Sequence, residues 1–313
     1  MKKSQISVCM ATYNGEKYII EQLDSIWKQT RQPDEVIICD DCSKDNTVKL
    51  IHQFISEHGL TDKWCVYCNE QNKGYPGNFY YAMSLCQGDI VFLADQDDIW
   101  EAQKIEKMSL ALEADEDMLL LASAWSIIDK NGKIVTKTKN SKSDLEYTNV
   151  SVQQIFYKYE WPGMAMCYRN EFVKEVLRDV QHTKLAHDVA LALSAAEMNG
   201  FKRMDECLQY HRNHDSNAAM EEHRVLKLLN KGRKVLEIKR YIVMLQEVLH
   251  CKELLQEESR AFVLRKLGIM QERLQNLEKG KMLRIIKQYL KNRDVIRAST
   301  VVCDCLICWQ RYD

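Results

Sequence analysis

The stretch FLADQDDIW, residues 92–100, ends an apolar run in three carboxylates, Asp95, Asp97 and Asp98. Like charges set so close raise the cost of ionising one another, so the cluster calls for a positive partner. A hard cation, Mg²⁺ or Mn²⁺, is the simplest. Such ions take oxygen ligands, usually one or two carboxylates plus the phosphates of a substrate, and act as Lewis acids on a departing diphosphate. A structural explanation competes: Asp97 or Asp98 could cap a helix opening at IWEAQKIEKMS, which is worth about 1 kcal/mol. One aspartate explains a cap and three do not, so a metal site is the expectation.

The elements around this cluster must aim it. ISVCMATYN, EVIICDD, WCVYCNE and DIVFLADQDD are short Val- and Ile-rich runs with polar ends, which read as strands. Helical patterns alternate with them: GEKYIIEQLDSIWKQT with Ile19, Leu23, Ile26 and Trp27 on one face, NTVKLIHQFISEHG stopping at Gly59, and GNFYYAMSLCQG. A βαβ series predicts a mostly parallel sheet with its ligand beyond the strands' carboxyl ends. Thr12, Asn14, Asp40, Asp41 and Asp95–Asp98 then converge on one cleft. Further on, Asn131-Gly132 marks a hairpin and residues 137–150 read as a polar surface loop. GMAMCYR reads as a strand, NEFVKEVLRDV and HDVALALSAAEMNG as helices, and FKRMDECLQYHRNHDSN as a closing strand and loop.

VCMATYNGEKYI, IICDDCSKDNT, NKGYPGN and LADQDDIW, in this order and spacing, resemble family 2 glycosyltransferases of the GT-A fold. WPGMAMCYRNEF, HDVALALSAAEMNG and LQYHRNHDSN extend the resemblance over most of residues 5–218. Among relatives the pattern is most similar to rhamnosyltransferases of bacterial surface polysaccharides. The resemblance implies a GT-A, Rossmann-like sheet flanked by helices and an inverting, metal-dependent transfer to a glycan or lipid-linked acceptor. The implied donor is a nucleotide-diphosphate sugar, dTDP-rhamnose ahead of a UDP-hexose. Residue by residue, it sets Asp95 on the donor's ribose and Asp97 on the metal. Thr12, Tyr13, Asn14 and Asp41 surround the base and ribose, and Asn72, Lys73 and Gly74 line the donor pocket. Asp188 is the implied catalytic base and His214 approaches the diphosphate or metal. YHRNHDSN carries one residue more than the YRQH of relatives, which leaves His211 as the alternative to His214.

The chemistry has its own logic. Inversion needs one base to take the acceptor hydroxyl's proton, and a partly desolvated carboxylate suits that task. Asp188 opens an apolar helix, where Asp is equally a favoured N-cap. Arg212 is a candidate for bidentate phosphate binding. A nucleotidyltransferase would show a glycine-rich basic loop after the first strand, where MATYNGEKY has only Gly15. A phosphatase of the haloacid-dehalogenase type would carry its acidic motif on the first strand, not at residue 95. A scaffold without chemistry is disfavoured by the presence of both DQDD and Asp188.

Composition bounds the rest. The 313 residues, 46% hydrophobic and 28% charged, are ordinary globular stock, and 3 prolines with 11 glycines favour regular structure. The net charge of −1 divides unevenly: residues 223–313 hold 20 Lys+Arg against 10 Asp+Glu, while residues 1–222 carry −11. That shift sets a boundary between a catalytic region, 1–222, and a basic helical region, 223–313. There Val235, Ile238, Ile242, Leu245 and Leu249 form an amphipathic stripe. Either this region docks on anionic membrane, or it packs as a bundle and pairs two copies of the chain. No motif points to nucleic acid. Cys39-x2-Cys42 and Cys65-x2-Cys68 have zinc spacing but lie in strand patterns, so structural thiols are expected. MKKSQISVCMATYN shows no signal peptide and no apolar run is long enough to span a bilayer. The expected location is the cytoplasm, with the inner membrane face as the peripheral option.

Overall fold

A computed structural model describes residues 3–136, 147–157, 160–180, 182–214 and 230–309. The chain divides into two compact units, Met1–Ser151 with Glu160–Ala218, and Val152–Tyr159 with Ala219–Asp313. The boundary expected after residue 222 lies outside the described residues, as do residues 137–146 of the expected polar loop.

The first unit is built on one sheet. Strands β1 (Ile6–Thr12), β2 (Glu35–Asp40), β3 (Trp64–Cys68) and β4 (Ile90–Asp95) run parallel in the order β3-β2-β1-β4. Val8, Cys9 and Met10 on β1 and Ile90 to Ala94 on β4 are wholly buried. Such continuous apolar runs are what a parallel sheet covered on both faces requires. Crossover helices α1 (Ile19–Trp27), α2 (Thr47–Glu57) and α3 (Gly74–Leu85) connect these strands.

Beyond β4 the sheet mixes directions. The remaining elements are β5 (Ile99–Trp100), α4 (Lys104–Ala114), β6 (Leu120–Ile128), β7 (Ile134–Thr136), β8 (Tyr147–Asn149), α5 (Val152–Tyr157), β9 (Met166–Arg169), α6 (Asn170–Val180), α7 (His187–Glu197) and β10 (Phe201–Arg212). β9 lies antiparallel between β4 and β6, β10 runs parallel to β6, and β5 pairs antiparallel with β10. β6 and β7 form the expected hairpin, with Gly132 at φ +80° in its turn.

Four details depart from the sequence reading. Ile99 and Trp100 are a strand, not a helix start, and α4 opens only at Lys104, so neither Asp97 nor Asp98 caps it. Residues 147–149, read as loop, are β8 on the edge of β10. Helix α3 opens at Gly74, three residues early, because Pro76 suits a first helical turn. Trp27 is 37% exposed beside buried Ile19, Leu23 and Ile26, its ring lying edge-on to His58 at the surface.

The second unit combines α5 with α8 (Lys231–His250), α9 (Glu257–Glu278), α10 (Met282–Lys291) and α11 (Ala298–Trp309). Helix α8 packs along α9, and α10 against α11. From the expected stripe, Ile238 and Leu245 are buried, with Val248 beside them. Arg273 on α9 is held bidentately by Asp304 on α11, at 2.6 and 2.9 Å, with both side chains buried. Among the described residues no helix is long and apolar enough to cross a membrane.

Candidate active site

The pairing register brings strand ends side by side: Thr12 stands opposite Asp40, and Ala11 opposite Asp95. Local hydrogen bonds then shape the loops beyond them. Thr12 Oγ1 donates to Asp40 Oδ2 at 2.9 Å, and Asp40 Oδ1 accepts the Ser43 N–H. Asn14, at φ +48°, donates its N–H to Ser43 Oγ and accepts the Lys44 N–H through Oδ1. Asp41 Oδ1 accepts the Lys73 N–H and the Asn69 amide, each at 2.8 Å, while Asn72 Nδ2 donates to the Asp41 carbonyl. Gly74 at φ +71° completes this clamp, in the left-handed region that glycine tolerates. The Gln96 amide brackets the Tyr13 backbone, accepting its N–H at 2.9 Å and donating to its carbonyl at 3.0 Å. Gly15 lies against it: a Cβ there would fall 2.3 Å from Gln96 Oε1.

These loops enclose a cavity of about 470 Å³. Of the residues singled out in sequence, Thr12, Tyr13, Asp41, Asn72, Gly74, Asp95 and Asp97 line it. His211, the sequence alternative to His214, lines it as well, together with Tyr75, Asn78, Phe79 and Gln96. Asn14, Lys73 and His214 are absent from the lining; Asn14 and Lys73 serve the loops, the Lys73 ammonium lying 5.1 Å from the Tyr81 ring centre, and His214 reaches the site through Asp97.

The carboxylates are short of positive charge. Burial, then the charges of Asp98 and Asp97, push Asp95 up to about 8. Asp97 is also raised by burial and by Asp98, against which a 2.8 Å bond from Oδ2 to His214 Nε2 works in the opposite sense. Asp98 is fully buried, and its Oδ1 accepts the Arg212 N–H and meets His211 Nδ1 at 3.1 Å. Asp98 Oδ2 has no hydrogen-bond partner among the described residues. Burial lowers His211, but the bond to Asp98 and the charges of all three aspartates push it up to about 9.

Arg212 departs from the expected phosphate contact. It is wholly buried, with Nε on the Asp97 carbonyl at 2.9 Å, Nη2 on Glu21 at 2.6 Å and its guanidinium 4.6 Å from the Tyr18 ring centre. It braces the acidic loop from behind. Buried Lys104 is a residue that sequence reasoning missed. Its ammonium donates to the Met164 carbonyl and to Gln209 Oε1, and lies 3.8 Å from the Trp100 ring centre. Burial pulls it down to about 7, while Asp98 and Asp95 act to raise it.

Asp188 sits in the first turn of α7, whose N-cap is Ala186, and its Oδ1 accepts the Val189 N–H at 2.8 Å. Asp188 is not among the residues lining the cavity, and its link to it is through the adjacent His187, whose ring stacks on Phe79 of the lining. His187 beside it is 5% exposed, stacked on Phe79 at 3.9 Å, with neither ring nitrogen bonded among the described residues. Gly163 packs under both. A Cβ there would lie 2.6 Å from His187 Nε2 and 3.3 Å from Asp188 Cβ.

Among the described residues no three His, Cys, Asp or Glu form a ready-made metal cage. The donor set still fits a hard cation that takes part of its shell from a substrate's phosphates. An unpartnered Asp98 oxygen, and an Asp95 raised by burial and by the charges of Asp98 and Asp97, both fit a site that takes a cation.

The family profile described as glycosyl transferase family 2 matches residues 7–176, over half of the chain and all of the carboxylate loop. The chain belongs to this family. A Nostoc protein, uncharacterized glycosyltransferase alr2836, is 26% identical over 219 residues, covering 69% of this chain and 67% of its own. The Escherichia coli enzyme WfgD, a UDP-Glc:alpha-D-GlcNAc-diphosphoundecaprenol beta-1,3-glucosyltransferase, is 31% identical over 137 residues, 43% of this chain and 52% of that one. The matched region thus spans between half and two thirds of these relatives. In fold, the chain superposes on S. aureus TarS 1–349 in complex with UDP at TM-score 0.60 and 18% identity, covering 99% and 92% of the two chains.

Proposed function

We propose that this chain is an inverting glycosyltransferase of cell-surface polysaccharide synthesis, moving a sugar from a nucleoside diphosphate to a hydroxyl of a glycan or lipid-linked acceptor. The observation that carries the reading is the cavity itself. Carboxylates Asp95 and Asp97 line it at the sheet's carboxyl edge, and Asp188 stands on a separate helix beside His187, which stacks on Phe79 of the lining. Asp41, Thr12 and Tyr13 hold the base and ribose, with Asn72 and Gly74 as the pocket's far wall. A bound Mg²⁺ or Mn²⁺ supplies Lewis acidity to the leaving diphosphate, and Asp97 with His214 would hold it beside Asp95.

Asp188 takes the proton from the acceptor hydroxyl as its oxygen attacks the anomeric carbon. The bond from that carbon to the diphosphate oxygen breaks, and the nucleotide leaves with the electron pair. Arg212 and buried Lys104 fix the acidic loop and strand β5, so the carboxylates need little reorganisation as charge develops.

The donor we place first is a UDP-hexose. WfgD is named for UDP-Glc and TarS was crystallised with UDP, whereas rhamnose rests on motif resemblance alone. A thermal-shift titration with UDP, dTDP, GDP and CDP, with and without Mn²⁺, tests this. A metal-dependent rise with UDP is expected, and dTDP acting alone would restore rhamnose. No rise with any nucleotide would refute the donor site.

We assign catalysis to residues 1–222 and surface attachment to the basic helices of 223–313. Leu283 and Leu290 on α10 are exposed beside Arg284, Lys287 and Lys291, a pattern suited to an anionic bilayer. Flotation with anionic liposomes at low salt is expected. A protein left at the bottom but dimeric in solution would show that this face pairs two copies instead.

A further inference from the structure

The helical unit contains its own cavity, of about 350 Å³. Four cations line it, Lys234, Lys266, Arg273 and Arg297, against one lining carboxylate, Glu237. Glu237 is drawn off by Lys234 at 3.2 Å and by Arg233 at 3.3 Å. Asp304 behind the wall is taken by Arg273. The excess charge therefore belongs to Lys266 and Arg297.

Lys266 is 5% exposed, and among the described residues its ammonium makes one hydrogen bond, to the Val295 carbonyl at 2.6 Å. An ammonium has three donors, and a buried charge so thinly served is costly without an anion. Burial, and then the Arg273 charge, bring Lys266 down to about 8, while Asp294, itself held bidentately by Arg265, acts to raise it. Arg297 stands immediately before α11, whose first turn adds Thr300 to the lining. A helix start carries the positive end of its dipole and attracts phosphate. The lining is completed by apolar side chains, Ile155, Phe156 and Ile238, with Met270 one turn along from Lys266 on α9.

We infer that this cavity binds a phosphate-bearing ligand, its phosphate between Lys266, Arg297 and the first turn of α11, and its apolar part against Phe156 and Met270. It is a second binding site, formed entirely within the helical unit and independent of the nucleotide reading above.

Calorimetric titration of the full chain with glycerol 3-phosphate and, separately, with short-chain phosphatidic acid tests it. Saturable binding of at least one probe is expected, weakened about tenfold or more by Arg297→Ala and by Lys266→Met, as for a lost charge-assisted hydrogen bond. UDP binding is expected unchanged in both variants. Binding of glycerol 3-phosphate supports a soluble phosphate ester as ligand, and binding of phosphatidic acid alone supports a lipid headgroup. Saturable binding of neither probe overturns the site, as does undiminished binding in Arg297→Ala. Phosphate binding that persists in a chain blind to every nucleotide would leave this site standing and refute only the donor site.

Discussion

Asp188 and Asp97 carry different burdens, and single substitutions separate them. Asp188→Asn keeps the size and the N–H acceptor of the first turn while removing the base. Transfer is expected to fall by roughly 10²-fold or more, with UDP affinity by calorimetry unchanged. Asp97→Ala should instead abolish the Mn²⁺ dependence of UDP binding, and a retained dependence would exclude Asp97 as ligand. His187 offers a subtler test. Its two unbonded, buried ring nitrogens cost stability, about 1–3 kcal/mol for such a group, so His187→Phe should melt at the same temperature or higher. A marked drop would show that its nitrogens have a structural partner. At this scale the sequence was informative where chemistry and strand ends coincide: Thr12, Asp41, Asp95 and Asp97 all reach the cavity. It gave Arg212 a phosphate role that its burial does not fit and was silent on Lys104, because the burial of a cation is decided by elements distant in the chain. Glu21 meets Arg212 across 191 positions, and Gln209 meets Lys104 across 105.

Two helices make their own predictions. The start of α7 rests on Gly163, and Gly163→Ala forces His187 and Asp188 to move. Turnover should drop with little change in UDP affinity, whereas unchanged turnover would mean the α7 start has slack. In the helical unit, Arg273→Met leaves Asp304 charged and buried. Breaking one side of such a pair costs about 3–5 kcal/mol, and the double change Arg273→Met with Asp304→Leu should recover most of it in urea melts. Helix identities were largely legible from periodicity, and strands such as Ile90–Asp95 from their short length, Val and Ile content and polar ends. Strand β5 was not. Two residues have no periodicity, and what makes Ile99 and Trp100 a strand is pairing with Tyr210 and Gln209, over a hundred positions away.

For the whole molecule, two compact units with separate cores predict two calorimetric transitions. UDP with Mn²⁺ at a hundredfold excess over its dissociation constant should stabilise one of them by about 2.7 kcal/mol and leave the other in place. A single transition moved as one would show that the cores melt together. The charge division near residue 222 marked two regions, but composition gave no hint that α5, from the middle of the chain, belongs with the late helices.

The Gln96 bracket around Tyr13 has a consequence for how this fold can change over evolutionary time. Its amide occupies the space where a side chain at position 15 would stand. Within the lineage the two positions cannot drift independently. Chains that gain a Cβ at 15 should have lost Gln at 96, and chains that keep Gln at 96 should stay glycine at 15. Library selections that randomise position 15 alone would keep returning glycine, held there by a glutamine some eighty residues downstream.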